Sequence, residues 1–212
     1  MSEIELVARR LDAALPWTRV GTAPGPATVR CADVVARRGD DPLGPWRAAT
    51  HAQQELCHGV GVGRHVAAAF VLQWWCEVVA TPIAYAAELG PWVLGGAEGL
   101  GFELAPGLHP ERLVLLPGLS VEVGAKRDRD ARARTAYREV VDGVVASYAP
   151  GVKMSSRQRW GVVEDVWLTA RRGALGAAGG AVGPQPRRVS CCFIYALPGL
   201  RACAACPRAP RI

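Results

Sequence analysis

The segment Val66–Ala87, VAAAFVLQWWCEVVATPIAYAA, is the most apolar stretch of the chain and decides what kind of fold it can make. By length it nearly spans a bilayer, but Gln73, Glu77 and Pro82 lie inside it. A carboxylate at the centre of a membrane is costly, so the segment reads as the buried helix of a globular body. It begins near residue 64. Pro82 either kinks it or opens a second helix running to about Leu89. Upstream, Gly59, Gly61 and Gly63 separate it from a helix expected over 45–57, itself preceded by a turn at Asp40-Asp41-Pro42. Residues 2–15 form an amphipathic helix pattern, with acidic residues early and arginines later to suit the helix dipole, and Pro16-Trp17 ends it. The Gly- and Pro-rich stretch that follows leaves room for one short strand or helix at Val29–Ala36.

Downstream the period changes. Gly101–Leu104, Arg112–Leu116 and Leu119–Val123 are short runs bounded by Gly and Pro, and read as strands of a small antiparallel sheet. Helical spacing returns over about 131–147, with Tyr137, Val140, Val141, Val144 and Val145 on one side. It recurs from Ser155 or Ser156 to about Gly173, with Trp160, Val163, Trp167 and Leu168 in step. The expected fold class is therefore mainly α with a small antiparallel β-sheet, α+β, followed by a cysteine-rich C-terminal module. The division is a body over 1–172, a Gly/Ala/Pro-rich connector over 173–186 and the module over 187–212.

Composition removes several classes of function. Of 212 residues 50% are hydrophobic and 21% charged, enough for a real core and unlike a disordered chain. The net charge of +6 comes from scattered arginine, all but Lys126 and Lys153 of the 25 basic residues. Short pairs such as Arg9-Arg10, Arg37-Arg38, Arg171-Arg172 and Arg187-Arg188 do not make a basic arm, so no nucleic-acid partner is expected. The N-terminus lacks the pattern of a secretory signal. The expected location is the cytoplasm, with at most peripheral contact with the inner face of the membrane.

Seven cysteines are distributed unevenly. Cys31, Cys57 and Cys76 are isolated, whereas Cys191, Cys192, Cys203 and Cys206 follow a C-C-x10-C-x2-C pattern closed by Pro207. An odd total without a signal peptide argues against a disulfide framework, and four clustered thiols in a reducing compartment share a metal. Cys203-Ala204-Ala205-Cys206 suits a zinc-binding turn, but Cys191-Cys192 does not, because neighbouring side chains diverge. A [2Fe–2S] cluster offers two irons and accepts such a pair more readily. One arrangement puts Cys203 and Cys206 on one iron and Cys191 and Cys192 on the other. The small residues Ala202, Ala204 and Ala205 would then let backbone N–H groups approach the sulfurs. A single zinc, or four reduced thiols without metal, stay open on spacing alone.

The run Arg187-Arg188-Val189-Ser190-Cys191-Cys192-Phe193-Ile194-Tyr195, then Pro198-Gly199, then Cys203-Ala204-Ala205-Cys206-Pro207, resembles the C-terminal signature of FhuF-like ferric siderophore reductases. The similarity extends more weakly to Phe70–Pro82 with its Trp74-Trp75 pair, and to Arg159-Trp160-Gly161-Val162-Val163. There the family's Leu-Trp-Gly-Asn-Val-Ala pattern has Val162 in place of Asn. The resemblance implies a [2Fe–2S] cluster on Cys191, Cys192, Cys203 and Cys206, and one-electron reduction of a ferric siderophore with release of iron. It also implies a mainly helical body. No catalytic residue beyond those ligands is expected.

Other motifs carry less. Gly59-Val60-Gly61-Val62-Gly63-Arg64 lacks the Lys-Ser/Thr of a phosphate loop and matches no dinucleotide fingerprint, so it reads as the start of a helix. Electrons must then come from an external donor, a ferredoxin or a flavin reductase. His51, His58 and His65 recur every seven residues, but glycines break the helix between them, and they read as solvated or locally hydrogen-bonded. Cys31 and Cys76 read as small buried hydrophobes, and Trp74, Trp75, Trp160 and Trp167 as core. Arg187, Arg188, Arg201 and Arg208 flank the cysteines. They are either a solvated connector or the cations that offset an anionic cluster and attract an anionic ferric chelate. The rival functions are a zinc-stabilised interaction module, an iron–sulfur redox sensor and an electron carrier.

Overall fold

The computed structural model describes residues 1–37 and 41–208; Arg38, Asp40 of the expected turn, and the last four residues of the 187–212 segment fall outside it. Ser2 caps α1, Glu3–Ala14: its hydroxyl accepts from the Glu5 N–H at 3.3 Å, and the Glu5 carboxylate accepts from the Ser2 N–H at 2.7 Å. The Val29–Ala36 region supplies both of its alternatives, a two-residue strand β2, Val29–Arg30, and a short helix α2, Cys31–Ala36. Helix α3 covers Gly44–His58.

The glycine loop leads into α4, Arg64–Leu89, with Gly63 as its N-cap. Pro82 does not divide it. The helix runs on until the Gly90 N–H closes on the Ala86 carbonyl at 3.2 Å. Long and apolar enough to cross a membrane, α4 is nevertheless 78% buried inside the protein over its most apolar window, which makes it the core helix. Helices α5, Lys126–Ser147, and α6, Ser156–Ala177, pack against it, as do α1 and α3. Two buried tyrosines tie these layers: Tyr137 Oη donates to the Val163 carbonyl at 3.0 Å and Tyr148 Oη to Ala68 at 2.8 Å. Cys31 and Cys76 are fully buried, Cys76 beside Tyr137; burial pushes the Cys76 thiol up to about 12, so both act as apolar filler.

The β structure departs from the single antiparallel sheet. A four-stranded mixed sheet runs β1 (Arg19–Gly21), β5 (Pro110–Leu115), β4 (Leu100–Leu104), β2. Strands β4 and β5 pair antiparallel, Phe102 opposite Leu113, but β1 lies parallel to β5, Arg19 opposite Arg112. Strand β6, Ser120–Val123, leaves that sheet and forms a ribbon with β3, Trp92–Gly95, Leu94 opposite Val121. The reason is the turn at Pro117-Gly118, where the Leu119 N–H bonds the Leu116 carbonyl at 3.0 Å and sends the chain across Gly99. A Cβ at Gly99 would lie 2.0 Å from Leu119 Cα, so only glycine lets the two backbones cross there.

Trp75 is fully buried at the centre of α4. Trp75→Ala should lower unfolding free energy by about 3–5 kcal/mol, read from a lower denaturant midpoint with an unchanged slope.

Candidate metal centre

The face of α6 prepares the site. Ser155 caps the helix by accepting from the Gln158 N–H at 3.1 Å, and Gln158, Gly161 and Asp165 then succeed each other along one side. The segment carrying the four cysteines lies on that side. Gly161 permits the close approach: a Cβ there would stand 3.2 Å from a Val189 methyl and 3.3 Å from the Ser190 nitrogen.

Asp165 is only 6% exposed, and its carboxylate receives three hydrogen bonds from the approaching chain. They come from the Val189 N–H at 2.9 Å, the Ser190 N–H at 2.7 Å and the Ser190 hydroxyl at 2.5 Å. Arg188 Nε lies 3.6 Å away as its cation. Two turns earlier the Gln158 amide grips the Cys191 peptide from both sides, donating to its carbonyl at 2.5 Å and accepting from its N–H at 3.1 Å. A buried carboxylate is tolerated only when donors surround it, and here the donors are the residues immediately before the cysteine pair.

Arg188 then holds the two halves of the segment together. Its guanidinium donates to Gln73 on α4 at 2.8 Å and to Ser190 at 3.3 Å, while its backbone N–H bonds the Ala205 carbonyl at 3.0 Å. The Cys206 N–H closes the Cys203–Cys206 turn on the Cys203 carbonyl at 2.9 Å. Val62 and Val66 make a small apolar cluster with Leu197, against which Phe193 and Ile194 pack, and the His65 ring meets Phe193 edge-on at 5.0 Å. The glycine loop thus serves as an anchor for the tail.

These anchors bring all four cysteines together. Cys191, Cys192 and Cys206 are buried and Cys203 is half-buried. The sulfurs act on one another mostly across the two halves, Cys206 most strongly on Cys191 and Cys192 most strongly on Cys203. The pairing crosses between the halves, unlike the arrangement that puts Cys203 with Cys206. Divergence of adjacent side chains, a difficulty for one ion, here sends Cys191 and Cys192 to different partners. Among the described residues no three His, Cys, Asp or Glu side chains converge on a single point.

Burial pushes the Cys191 and Cys203 thiols up, and their sulfur neighbours push them further. Two groups pull the other way: the Phe193 N–H, 3.4 Å from Cys191 Sγ, and Arg188 beside Cys203. The N–H contact at sulfur comes from Phe193, held in the left-handed region at φ 59°, not from the alanines. Metal loading therefore has to release protons. The set of four soft donors, half of them turned to each of two places, fits a dinuclear iron–sulfur centre.

Of the flanking cations, Arg187, Arg201 and Arg208 are exposed, and Arg208 donates to the Tyr195 hydroxyl and stacks over its ring at 5.3 Å. Arg188 is largely buried. Cys57 is exposed and remote, accepting from Gln53 at 3.4 Å, and His51 faces Glu55 at 3.8 Å. Sequence reasoning missed Asp165, Gln158 and Gln73. The available signal was a carboxylate set among Val162, Val163, Val166 and Trp167 on the apolar side of α6.

The arrangement defines a thiol-rich cluster module seated on a helical body. Residues 188–208 match the FhuF 2Fe-2S C-terminal domain, and over that segment the resemblance drawn from cysteine spacing is borne out. The cofactor is a [2Fe–2S] cluster. No curated protein gives a match to the chain.

Asp165→Ala leaves two N–H groups and Arg188 without their acceptor, at a cost of about 2–4 kcal/mol. Anaerobic reconstitution of this variant should give several-fold less iron per chain than the wild type, with the helical circular-dichroism signal retained. Full iron content would show that Asp165 does not seat the tail.

Proposed function

We propose that this protein reduces the iron of a ferric siderophore by one electron, with Cys191, Cys192, Cys203 and Cys206 holding the cluster. The observation that carries the reading is the two-by-two meeting of four thiols in a shallow segment at the surface of the body. Structural zinc takes its ligands around one ion, whereas two irons accept an adjacent Cys191-Cys192 pair more readily. When bound, the cluster supplies a one-electron donor close to solvent.

The substrate chemistry makes few demands on acids or bases. Hydroxamate and catecholate oxygens are hard donors that hold Fe(III) tightly and Fe(II) far less well, so one added electron loosens the chelate. The chain's own task is to hold charge and position. Arg188, Gln158 and Asp165 fix the backbone on the inner side. Half-buried Cys203 lies on the outer side, and exposed Arg201 and Arg208 offer guanidinium groups to an anionic chelate. We assign electron supply to a separate protein, a ferredoxin or a flavin reductase. The work is placed in the cytoplasm, where such donors are found.

The protein purified without oxygen should show broad visible bands and, after dithionite, a spin-half EPR signal. Stopped-flow mixing of the reduced form with a ferric hydroxamate should restore the oxidised spectrum. A colourless protein carrying one zinc, or a cluster that ferric chelates leave reduced, overturns the reading. Replacing Arg201 and Arg208 together by Glu should slow reoxidation by an anionic chelate about tenfold at low salt, and less at high salt.

Kept on loading, this pairing would put Cys191 and Cys206 on one iron and Cys192 and Cys203 on the other. Cys191→Ser and Cys206→Ser should then shift the EPR g-values alike, with a second matched pair from Cys192→Ser and Cys203→Ser. Matching within Cys191/Cys192 and within Cys203/Cys206 overturns this pairing.

A further inference from the structure

The core helix carries a charge that the cluster module does not account for. Glu77 sits one turn after Gln73 on α4, half-buried, in the wall of a cavity of about 520 Å³ between α4, α6 and β5. That size is ordinary for a small-molecule site. Burial pushes the Glu77 carboxyl up, and the opposing pulls of Gln73 and Arg188 are smaller.

A count of charges around it leaves Glu77 unmatched. Its hydrogen-bond donor is the Gln73 amide, at a long 3.4 Å. Arg188, the nearest cation, already faces Asp165 at 3.6 Å and donates to Gln73 and Ser190, so the charges of Arg188 and Asp165 offset each other. Among the described residues no Arg, Lys or His stands within ion-pairing distance of Glu77. The other titratable side chains of the cavity wall are Tyr85, whose hydroxyl burial pushes up to about 12, and His109. A carboxyl in such a place stays protonated until a positive partner holds it in the charged form.

The rest of the wall says what kind. Trp17, Trp74 and Tyr85 line the same cavity, Trp17 and Tyr85 edge-to-face with centroids 6.1 Å apart. Aromatic faces attract a cation through their quadrupole and give its apolar body surface to bury against, while a strongly hydrated metal ion gains little there. Trp17 is 63% exposed, so this side of the cavity is open to solvent.

We propose that the cavity binds a small organic ammonium ion, its charge against Glu77 and its alkyl groups against Trp17, Trp74 and Tyr85. The site is distinct from the four cysteines and is linked to them through Gln73, which donates to Glu77 and accepts from Arg188. It does not depend on what the cluster reduces.

The test is calorimetric titration of the cluster-loaded protein with choline, with benzyltrimethylammonium, and with 3,3-dimethylbutanol, the neutral counterpart of choline. Saturable binding of a cationic probe below about 10 mM is expected, with choline at least about tenfold tighter than its neutral counterpart. Glu77→Gln should weaken the cation by a similar factor while leaving the cluster's visible spectrum unchanged. Trp17→Leu, at an exposed position that does not threaten the fold, should weaken it several-fold. Equal binding of choline and 3,3-dimethylbutanol, undiminished binding to Glu77→Gln and Trp17→Leu, or no saturable binding of either cation overturns the proposal.

Discussion

A buried carboxylate on α6 governs where the C-terminal segment goes. Asp165 is placed among valines and a tryptophan by helical spacing, where its charge is tolerable only if hydrogen-bond donors close around it. Among the described residues the tail delivers the backbone N–H groups that reach that side chain, from Val189 and Ser190. Once those bonds form, the next residues are Cys191, its peptide gripped by Gln158, and Cys192, and both are buried. Gly161 matters because any side chain there would hold the tail a few tenths of an ångström away from these partners.

The same contacts settle the electrostatics. Four sulfurs brought together disfavour one another's ionised forms, and burial disfavours them further. Arg188 compensates without being solvent-exposed, its own charge satisfied by Asp165 and its fork held by Gln73 and Ser190. One arginine therefore serves the fold and the thiolates together. The exposed arginines lie on the outer side of the same segment, which separates the charge that seats the module from the charge available to a visitor.

Helix α4 explains why so small a module can be held firmly. It packs against α1, α3, α5 and α6, and its first turn, through Val66, joins Val62 of the preceding glycine loop against Leu197 and Phe193. Its polar residues are not scattered. Gln73 and Glu77 stand one turn apart on the side that meets Arg188 and the cavity, so the core helix contributes to both regions without an exposed polar stripe.

The helices and the cofactor were legible in the order of residues because both depend on local spacing. The capping box at Ser2 and Glu5, the apolar repeat of α5 and α6, and the C-C-x10-C-x2-C pattern all act over a few turns of chain. Strand β1 has three residues and no periodicity to read, and its parallel pairing with β5 joins positions more than ninety residues apart, as the Thr18–Glu111 bond beside it shows at a separation of 93. The exchange of β6 from one sheet to another follows from a backbone crossing at Gly99. For the site, the sequence by itself determined which four thiols are available, and its resemblance to a known signature implied the cluster that takes them. Only the tertiary structure decided which thiol meets which, and that Asp165, Gln158 and Gln73 hold them. The bonds of Asp165, Gln158 and Gln73 to the tail join residues 24 to 115 positions apart, and their energy comes from burying charge beside donors that no local pattern announces.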